Sequence, residues 1–281
     1  LGMVLTKIGS RLETDSHKEV IYQISGRFLG FVIDAILVFI LFGIGVVMIS
    51  GSGSIFAQQF GLPSYVGIIL MTVLVLISIL SNVDRVVKII ASITPFLILG
   101  VVFLFVYSVA TKDYSFMELD AIAREQPSAT GHWFTSVINY VSLAITMGAS
   151  MTLVMGGDES KERIASFGGM LGGVSVGILI VIHHLAILSK VDVVGDYDMP
   201  SLGLANLISP IFGIIYSIIL FGMIFNSAVS MFFSFGTRFF TPKTKKFNWF
   251  VIGALIIAFG ASFFGFKQLV SFFYPLFGYM G

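Results

Sequence analysis

The chain has 281 residues, of which 57% are hydrophobic and only 11% are charged, and it contains no cysteine. Soluble domains carry about a quarter charged residues, so this composition excludes an ordinary soluble globular protein. The absence of cysteine excludes disulfides, iron–sulfur clusters and thiol catalysis. The net charge is only +1, and the basic residues do not form a patch, so we expect no nucleic acid partner.

Long uncharged stretches recur along the chain, and each is about as long as one membrane crossing. A helix rises about 1.5 Å per residue and the hydrocarbon layer is about 30 Å thick, so roughly 20 apolar residues make one span. Seven stretches qualify, at 28–56, 64–80, 89–110, 133–155, 169–188, 211–235 and 247–264. An eighth begins near Gln268, and residues 1–5 are typical of the end of an earlier one. The sequence predicts an all-α, polytopic transmembrane helix bundle, with further membrane sequence expected at both ends.

The gaps that separate these spans are alternately rich and poor in Lys and Arg. Counted from the N-terminus, the odd gaps hold twelve Lys and Arg residues and the even gaps hold four. Loops rich in Lys and Arg face the cytoplasm, so the odd gaps are predicted to be cytoplasmic. The even gaps, predicted to lie outside, are 57–63, 111–132, 189–210 and 265–267.

Residues 199–237 contain no charge and could form one span or two. Splitting them would place the four basic residues of 238–246 outside and break the alternation, so one span is predicted. Ser209 and Pro210 are typical of an N-cap followed by Pro at the first helical position. Residues 200–208 then form a short outer segment over the membrane face, and we expect 189–208 to help close the outside.

The fourth span concentrates small and hydroxyl residues, and we expect Thr146, Gly148, Ala149 and Ser150 to bind substrate where the helix breaks. Thr152 follows one turn later. A broken transmembrane helix exposes backbone groups that a ligand or ion must satisfy, and its ends carry partial charges. A close helix crossing, which also requires small residues, is the alternative.

In the sixth span, Asn226, Ser227 and Ser230 interrupt a segment of Phe, Ile and Met. Neutral oxygens of this kind suit Na⁺, so we expect a sodium site here. The alternative is hydrogen bonding between helices, worth about 1 kcal/mol per pair.

Other polar residues favour simpler roles. Asp34 lies about two turns beyond Arg27 and is expected to anchor the first span at the interface. His183 and His184 point about 100° apart on a helix, so at most one can line a pathway. Residues 158–160 are typical of the N-terminal cap of a cytoplasmic helix.

Two short serine motifs raise the alternative of a membrane-embedded enzyme. Residues 173–177 match G-x-S-x-G, but inside a helix and not on the strand-to-helix turn that exposes a nucleophile. Residues 148–150 resemble part of a rhomboid-like serine motif, but the chain continues with Met151 where that motif has Gly. The glycines at 169, 173 and 177 recur every four residues, which favours helix packing. No metal-ligand cluster is visible, and we expect no enzyme and no cofactor besides a coupling ion.

Three segments carry a resemblance to a known family: MISGSGSIFAQQFGLP at 48–63, GGDESKERIASFGGMLGG at 156–173 and LVSFFYPLFGYMG at 269–281. They resemble the YkvI-like bacterial membrane proteins, which look distantly similar to the amino acid, polyamine and organocation transporters. The latter share a LeuT-like fold of two inverted five-helix repeats. The resemblance implies one transporter domain over 1–281, with 28–110 as the remainder of the first repeat and 132–281 as the second. The seven spans would be helices three to nine, with partial spans at both ends.

The resemblance also implies a function. It predicts a secondary transporter of a small solute, with an amino acid or related compound as the expected solute. Transport would proceed by alternating access with Na⁺ coupling in the bacterial cytoplasmic (inner) membrane. Its partners would be the solute and the lipid bilayer. In such transporters helix six contributes to the substrate site and hydroxyl residues of helix eight to the sodium site, although Asn226 departs from a hydroxyl. A channel or passive pore is the alternative, and a membrane-embedded enzyme a more distant one.

Overall fold

The computed structural model describes residues 2–12, 17–81, 92–126 and 130–281. Within these ranges every regular element is a helix, which confirms the all-α class. The helices are α1 (Gly2–Leu12), α2 (His17–Phe60), α3 (Ser64–Leu80), α4 (Thr94–Ala110), α5 (Phe116–Glu125), α6 (Trp133–Gly157), α7 (Glu162–Leu188), α8 (Val191–Val194), α9 (Pro200–Ile208), α10 (Pro210–Thr237), α11 (Lys245–Ser262) and α12 (Phe266–Met280). The predicted residues 89–91 of the third span lie outside the described ranges.

Each predicted span falls on a helix, but the helices differ in their capacity to cross a membrane. Three are long and apolar enough: Ser25–Phe60, Glu162–Leu188 and Pro210–Thr237. A fourth results if α11 and α12, which are bent by 113° at their junction, count as one broken span. Helices α3 and α4 have 17 residues each, or about 25 Å, which is just short of the hydrocarbon thickness. The described residues therefore support three or four spans by length, and seven full spans stay a prediction.

Local chemistry explains several helix boundaries. Gly26 interrupts α2 with a φ of 72°, a conformation that favours glycine, so the apolar part of α2 begins at the predicted place. Ser209 accepts a hydrogen bond from the Phe212 amide at 3.1 Å, with Pro210 at the first helical position, as the sequence predicts. Gly265, with a φ of 93°, occupies the turn between α11 and α12.

The chain divides into two compact units, and each is described by itself. The first comprises Leu1–Ile40, Ala129–Ile180 and Phe272–Gly281, and the second comprises Leu41–Ser128 and Val181–Ser271.

In the first unit, α1 packs closely on α6 through small residues. A Cβ atom on Gly9 would overlap the Leu153 carbonyl, and one on Gly156 would overlap the backbone of Thr6. Helix α7 joins them at Gly169, where a Cβ atom would lie 2.6 Å from the Gly2 carbonyl oxygen. The predicted packing role is thus confirmed for the first glycine of the repeat.

The other two glycines of that repeat behave differently. A Cβ atom on Gly173 or Gly177 would meet no atom within 4 Å among the described residues. The expectation of a three-glycine packing face is therefore wrong for these two, because no described helix lies against that part of α7.

In the second unit, the motif of residues 48–63 packs α2 against two neighbouring helices. The Ser52 hydroxyl donates to the Gly67 carbonyl of α3 at 3.0 Å, and the Ser50 hydroxyl donates to the Ser262 carbonyl of α11 at 2.9 Å. A Cβ atom on Gly53 would lie 2.8 Å from the Ser64 carbonyl oxygen, so the backbones of α2 and α3 cross closely. Much of the recognised motif therefore has a packing role.

Helix α9 lies over α10, α4 and α8 in the same unit. Its apolar side chains belong to a buried cluster whose members are Ile55, Leu104, Ala186, Val194, Met199, Leu202, Leu204, Ala205 and Tyr216. The short segment predicted at 200–208 is thus a helix that is anchored in a buried core shared with neighbouring helices.

Candidate functional site

The small and hydroxyl residues of the fourth span lie on α6, which runs as one α-helix from Trp133 to Gly157. The Thr146 hydroxyl donates to the Ser142 carbonyl at 2.9 Å, and the Thr152 hydroxyl donates to the Gly148 carbonyl at 2.7 Å. The predicted helix break is therefore wrong for this structure. The reason is that backbone groups in an apolar setting are most readily satisfied within the helix, and these threonines add a second donor to carbonyls one turn back.

The predicted substrate residues keep one feature that suits a binding role. A Cβ atom on Gly148 would meet nothing within 4 Å in the described part of the chain, so no described helix crosses closely there. This argues against the packing alternative at Gly148. Thr146 and Ala149 are half-buried, and the Ser150 side chain lies outside the described side chains.

A polar line along α6 faces the end of α12 within the first unit. Asn139, Ser142 and Thr146 are spaced three and four residues apart, which places them on one face. A Cβ atom on Gly278 would lie 2.5 Å from the Asn139 Cβ atom, and one on Gly281 would lie 2.9 Å from the Ser142 hydroxyl. The Asn139 amide nitrogen is buried and has no hydrogen-bond partner in the described residues. Sequence reasoning did not single out Asn139, although its spacing to the two hydroxyls was visible.

The predicted sodium residues lie on α10 in the second unit. Asn226 and Ser230 are one turn apart and share a face, while Ser227 points about 100° away. The Ser227 hydroxyl donates to the Met223 carbonyl at 3.0 Å, which leaves its oxygen lone pairs available. The Asn226 side-chain carbonyl oxygen is buried and has no hydrogen-bond partner within the described ranges. A buried acceptor without a partner costs about 1–3 kcal/mol, so it suits an ion or a donor that arrives from elsewhere.

Aromatic contacts locate this part of α10 along α2. Phe221 packs on Phe56 with 5.8 Å between ring centroids, and Phe232 packs on Phe42 with 6.2 Å. Asn226 therefore passes the stretch of α2 between Phe42 and Phe56, which contains the GSGS segment. No group of three or more His, Cys, Asp or Glu side chains that could hold a metal occurs in the described residues.

The remaining predicted positions have ordinary surroundings. His183 Nε2 lies 3.0 Å from the Ser201 hydroxyl of α9, while His184 is exposed, so the two imidazoles diverge as predicted. Asp34 is half-buried and has a partner. The Glu159 carboxylate accepts the Lys161 amide at 3.0 Å, and this bond lies before α7 begins at Glu162, so the predicted cap at 158–160 stays a prediction.

The outer segment 189–208 is fastened to other predicted outer gaps. The Gln58 amide exchanges two hydrogen bonds with the backbone of Met199, at 2.9 and 3.0 Å. Gln59 and Asn206 pair through their amides, with a shortest distance of 2.9 Å. Both glutamines come from the motif at 48–63. Sequence reasoning missed their role, although two polar amides at the end of an apolar span are a usable signal.

Two lysines extend these attachments. Lys190 forms an ion pair with Asp113 in the gap 111–132, and Lys267 donates to the Asp196 carbonyl at 2.6 Å. In the first unit, the Ser10 hydroxyl donates to the Glu159 carbonyl at 2.6 Å, which joins two predicted cytoplasmic gaps. Each of these contacts joins gaps predicted to lie on one side of the membrane, so the geometry agrees with the charge alternation.

The chain has apolar helices of spanning length, and its polar contacts join gaps predicted to lie on the same side of the membrane. These features define a multi-pass helical membrane protein. The chain is similar over its whole length to the "Uncharacterized membrane protein YkvI" of Bacillus subtilis (strain 168), with 26% identity over 282 residues that cover 100% of this chain and 79% of the relative. It is also similar to "Uncharacterized protein YyaD" of the same organism, with 20% identity over 275 residues, or 98% of this chain and 79% of the relative. No protein-family model and no solved structure matches the chain. The similarity to YkvI supports a YkvI-like membrane family and confirms the resemblance predicted from the three motifs.

Proposed function

We propose that the protein is a secondary transporter of a small solute, with an amino acid as the favoured class and Na⁺ as the coupling ion. The solute binds beside α6 near Thr146, Gly148, Ala149 and Ser150. The cation binds beside α10 at Asn226, Ser227 and Ser230. Alternating exposure of the solute site to the two sides of the bacterial cytoplasmic membrane moves the solute across.

The observation that carries this proposal is the buried Asn226 carbonyl oxygen without a partner in the described residues. Apolar helices avoid such acceptors, because an unsatisfied polar group in the membrane interior is costly. A sodium ion accepts neutral oxygen ligands, and the adjacent Ser227 hydroxyl oxygen offers a second one. Hydrogen bonding between helices, the alternative explanation of Asn226, would leave that oxygen paired.

The first unit supports a solute site in the same way. The Asn139 amide donor is buried and unpaired within the described ranges, and it lies on the α6 face that also carries Thr146. A solute carboxylate would satisfy such a donor. The unbroken α6 helix offers side chains for binding, while its backbone stays paired.

A channel is the second candidate, and transport kinetics separate the two. We would first screen amino acids and polyamines by thermal shift of the full-length protein, with and without Na⁺, since specific binding raises stability. The solutes that bind are then tested for uptake into proteoliposomes. Saturable uptake that depends on a Na⁺ gradient is expected. Ion conductance far above the turnover of a transporter, without saturable uptake, would establish the channel instead.

The cation site is tested with the double variant Asn226→Ala and Ser227→Ala, which we expect to lose the Na⁺ dependence of uptake. Ser217→Ala is the matched control, because Ser217 is a buried serine of the same helix whose hydroxyl donates to the Ile214 carbonyl at 2.7 Å. Unchanged Na⁺ dependence in the double variant would refute the site.

A further inference from the structure

A polar cavity of about 340 Å³ lies in the second unit, at the end of α2 that the charge alternation predicts to be outside. Its volume is at the lower end of the range of small-molecule sites, which suits a solute the size of an amino acid. The polar side chains that line it are Ser50, Ser54, Ser64, Asp198, Ser262, Lys267 and Gln268.

The cavity contains one full negative charge and one full positive charge, and these two do not neutralise each other. Asp198 Oδ2 accepts a hydrogen bond from the Ser54 hydroxyl at 2.8 Å. The Lys267 ammonium donates to the Asp196 carbonyl at 2.6 Å. No ion pair joins Asp198 to Lys267 within the described residues, so each charge keeps capacity for another partner.

The rest of the cavity wall complements a solute with an apolar side chain. Ile68 of α3, Phe263 of the turn and Phe266 of α12 also line it. Gly265 sets this wall through its turn conformation, with a φ of 93°. A carboxylate acceptor, an ammonium donor and an apolar wall therefore surround one small volume.

We propose that this outer cavity is a binding site for a zwitterionic solute, namely a neutral amino acid. The solute ammonium pairs with Asp198 and the solute carboxylate pairs with Lys267, while the side chain packs on Phe263 and Phe266. Charge-assisted hydrogen bonds at both ends give selectivity for a molecule that carries both groups. This site is separate from the one proposed beside α6, and binding at it does not require transport.

The test measures binding to the full-length protein in detergent by titration calorimetry. The probes are alanine, leucine and phenylalanine, each with the analogue that lacks the carboxylate and the analogue that lacks the amine. At least one amino acid is expected to bind, with each of its analogues weaker by about tenfold or more, because one charge-assisted contact is lost. Absence of binding for all three amino acids up to about 10 mM, or equal binding of the analogues, overturns the proposal.

Two conservative variants assign the charges. Asp198→Asn keeps an oxygen that can accept a hydrogen bond from Ser54. It is expected to weaken the binding of the amino acid, and of the analogue that lacks the carboxylate, by about tenfold. The binding of the analogue that lacks the amine should not change. Lys267→Gln is expected to give the reverse pattern. A variant that merely perturbed folding would weaken all three probes equally, and that outcome would also overturn the assignment.

Matched controls are available in the same chain. Asp192→Asn changes an exposed acid of the same outer segment that does not line the cavity, and Lys246→Gln changes an exposed lysine of a predicted cytoplasmic gap. Both should bind like the unaltered protein. Binding without uptake in proteoliposomes would contradict the proposed transport alone. If Asp198→Asn changed neither binding nor uptake, the proposed role of this cavity would be contradicted, whereas the proposed transport would not.

Discussion

The Lys190 ammonium is nearly buried and forms an ion pair with the Asp113 carboxylate, with 2.7 Å between Nζ and Oδ2. The same ammonium also donates to the Thr111 carbonyl. The lysine side chain is 10% exposed and the aspartate side chain 69%, so water screens the pair from one side only. Two predicted outer loops are thus joined by a cation that has little other access to solvent.

Removing the acid from this pair should destabilise the protein. We expect Asp113→Asn to lower stability by about 1 kcal/mol, because the lysine charge stays nearly buried without its counter-charge while the exposed partner limits the loss. Adding Lys190→Met should recover most of the loss, since no buried charge then remains. Thermal unfolding in detergent measures both. Equal melting temperatures for Asp113→Asn and the unaltered protein would show that the pair is energetically neutral.

The membrane topology can be tested by cysteine labelling, because residues 1–281 contain no cysteine of their own that would react with the label. Single substitutions Asp192→Cys and Lys243→Cys place a thiol in a predicted outer gap and a predicted cytoplasmic gap. A membrane-impermeant maleimide added to intact cells should label the first and spare the second, and lysis should expose both. The opposite pattern would reverse the orientation.

The crossing of α2 and α3 should be intolerant of added volume. A Cβ atom on Gly67 would overlap the Ser52 carbonyl and lie 3.0 Å from the Gly53 Cα atom. Both are backbone atoms, which cannot move without shifting a helix, so Gly67→Ala should destabilise by about 1–3 kcal/mol.

Gly253→Ala provides the comparison for this substitution. A Cβ atom at Gly253 of α11 meets nothing within 4 Å in the described residues, and alanine is the better helix former. Its melting temperature should equal or exceed that of the unaltered protein. If both alanine variants melted alike, the close crossing would be contradicted.

The unpaired acceptor on α10 predicts opposite effects on stability and on ion response. Asn226→Leu removes a buried polar group of similar size, so the protein should be equally or more stable in Na⁺-free buffer. The rise in melting temperature on adding NaCl, relative to choline chloride, should disappear in the variant. A sodium response of unaltered size in Asn226→Leu would place the ion elsewhere.

The helices were largely predictable, because apolar stretches and the placement of basic residues follow from the lipid environment. The Ser209 cap followed from a local signal that depends on neighbouring residues alone. The short segment at 200–208 followed from the charge alternation, but its helical form was not predicted. The α6 break was not predictable, since small residues suit a break, a close crossing and an unbroken helix equally well. Only the backbone geometry of the folded helix distinguishes these cases.

The candidate sites were predictable to different degrees. Asn226 stood out because an amide in an apolar span is rare, and the structure adds that its oxygen is unpaired in the described residues. The cavity between Asp198 and Lys267 was not foreseen, because these residues lie 69 positions apart and each looks like an ordinary loop charge. Their convergence depends on the turn at Gly265 and on the packing of α9, which no local pattern encodes.

The attachments of the segment 189–208 also constrain its movement. Gln58 holds it at one point, Asp113 at a second and Lys267 at a third, and these residues belong to three different stretches of the chain. A displacement of the segment 189–208 by a few ångströms would have to move the three stretches with it or break several polar contacts at once. The attachments therefore couple any movement of the segment 189–208 to movement of all three stretches, so its parts are not free to shift independently.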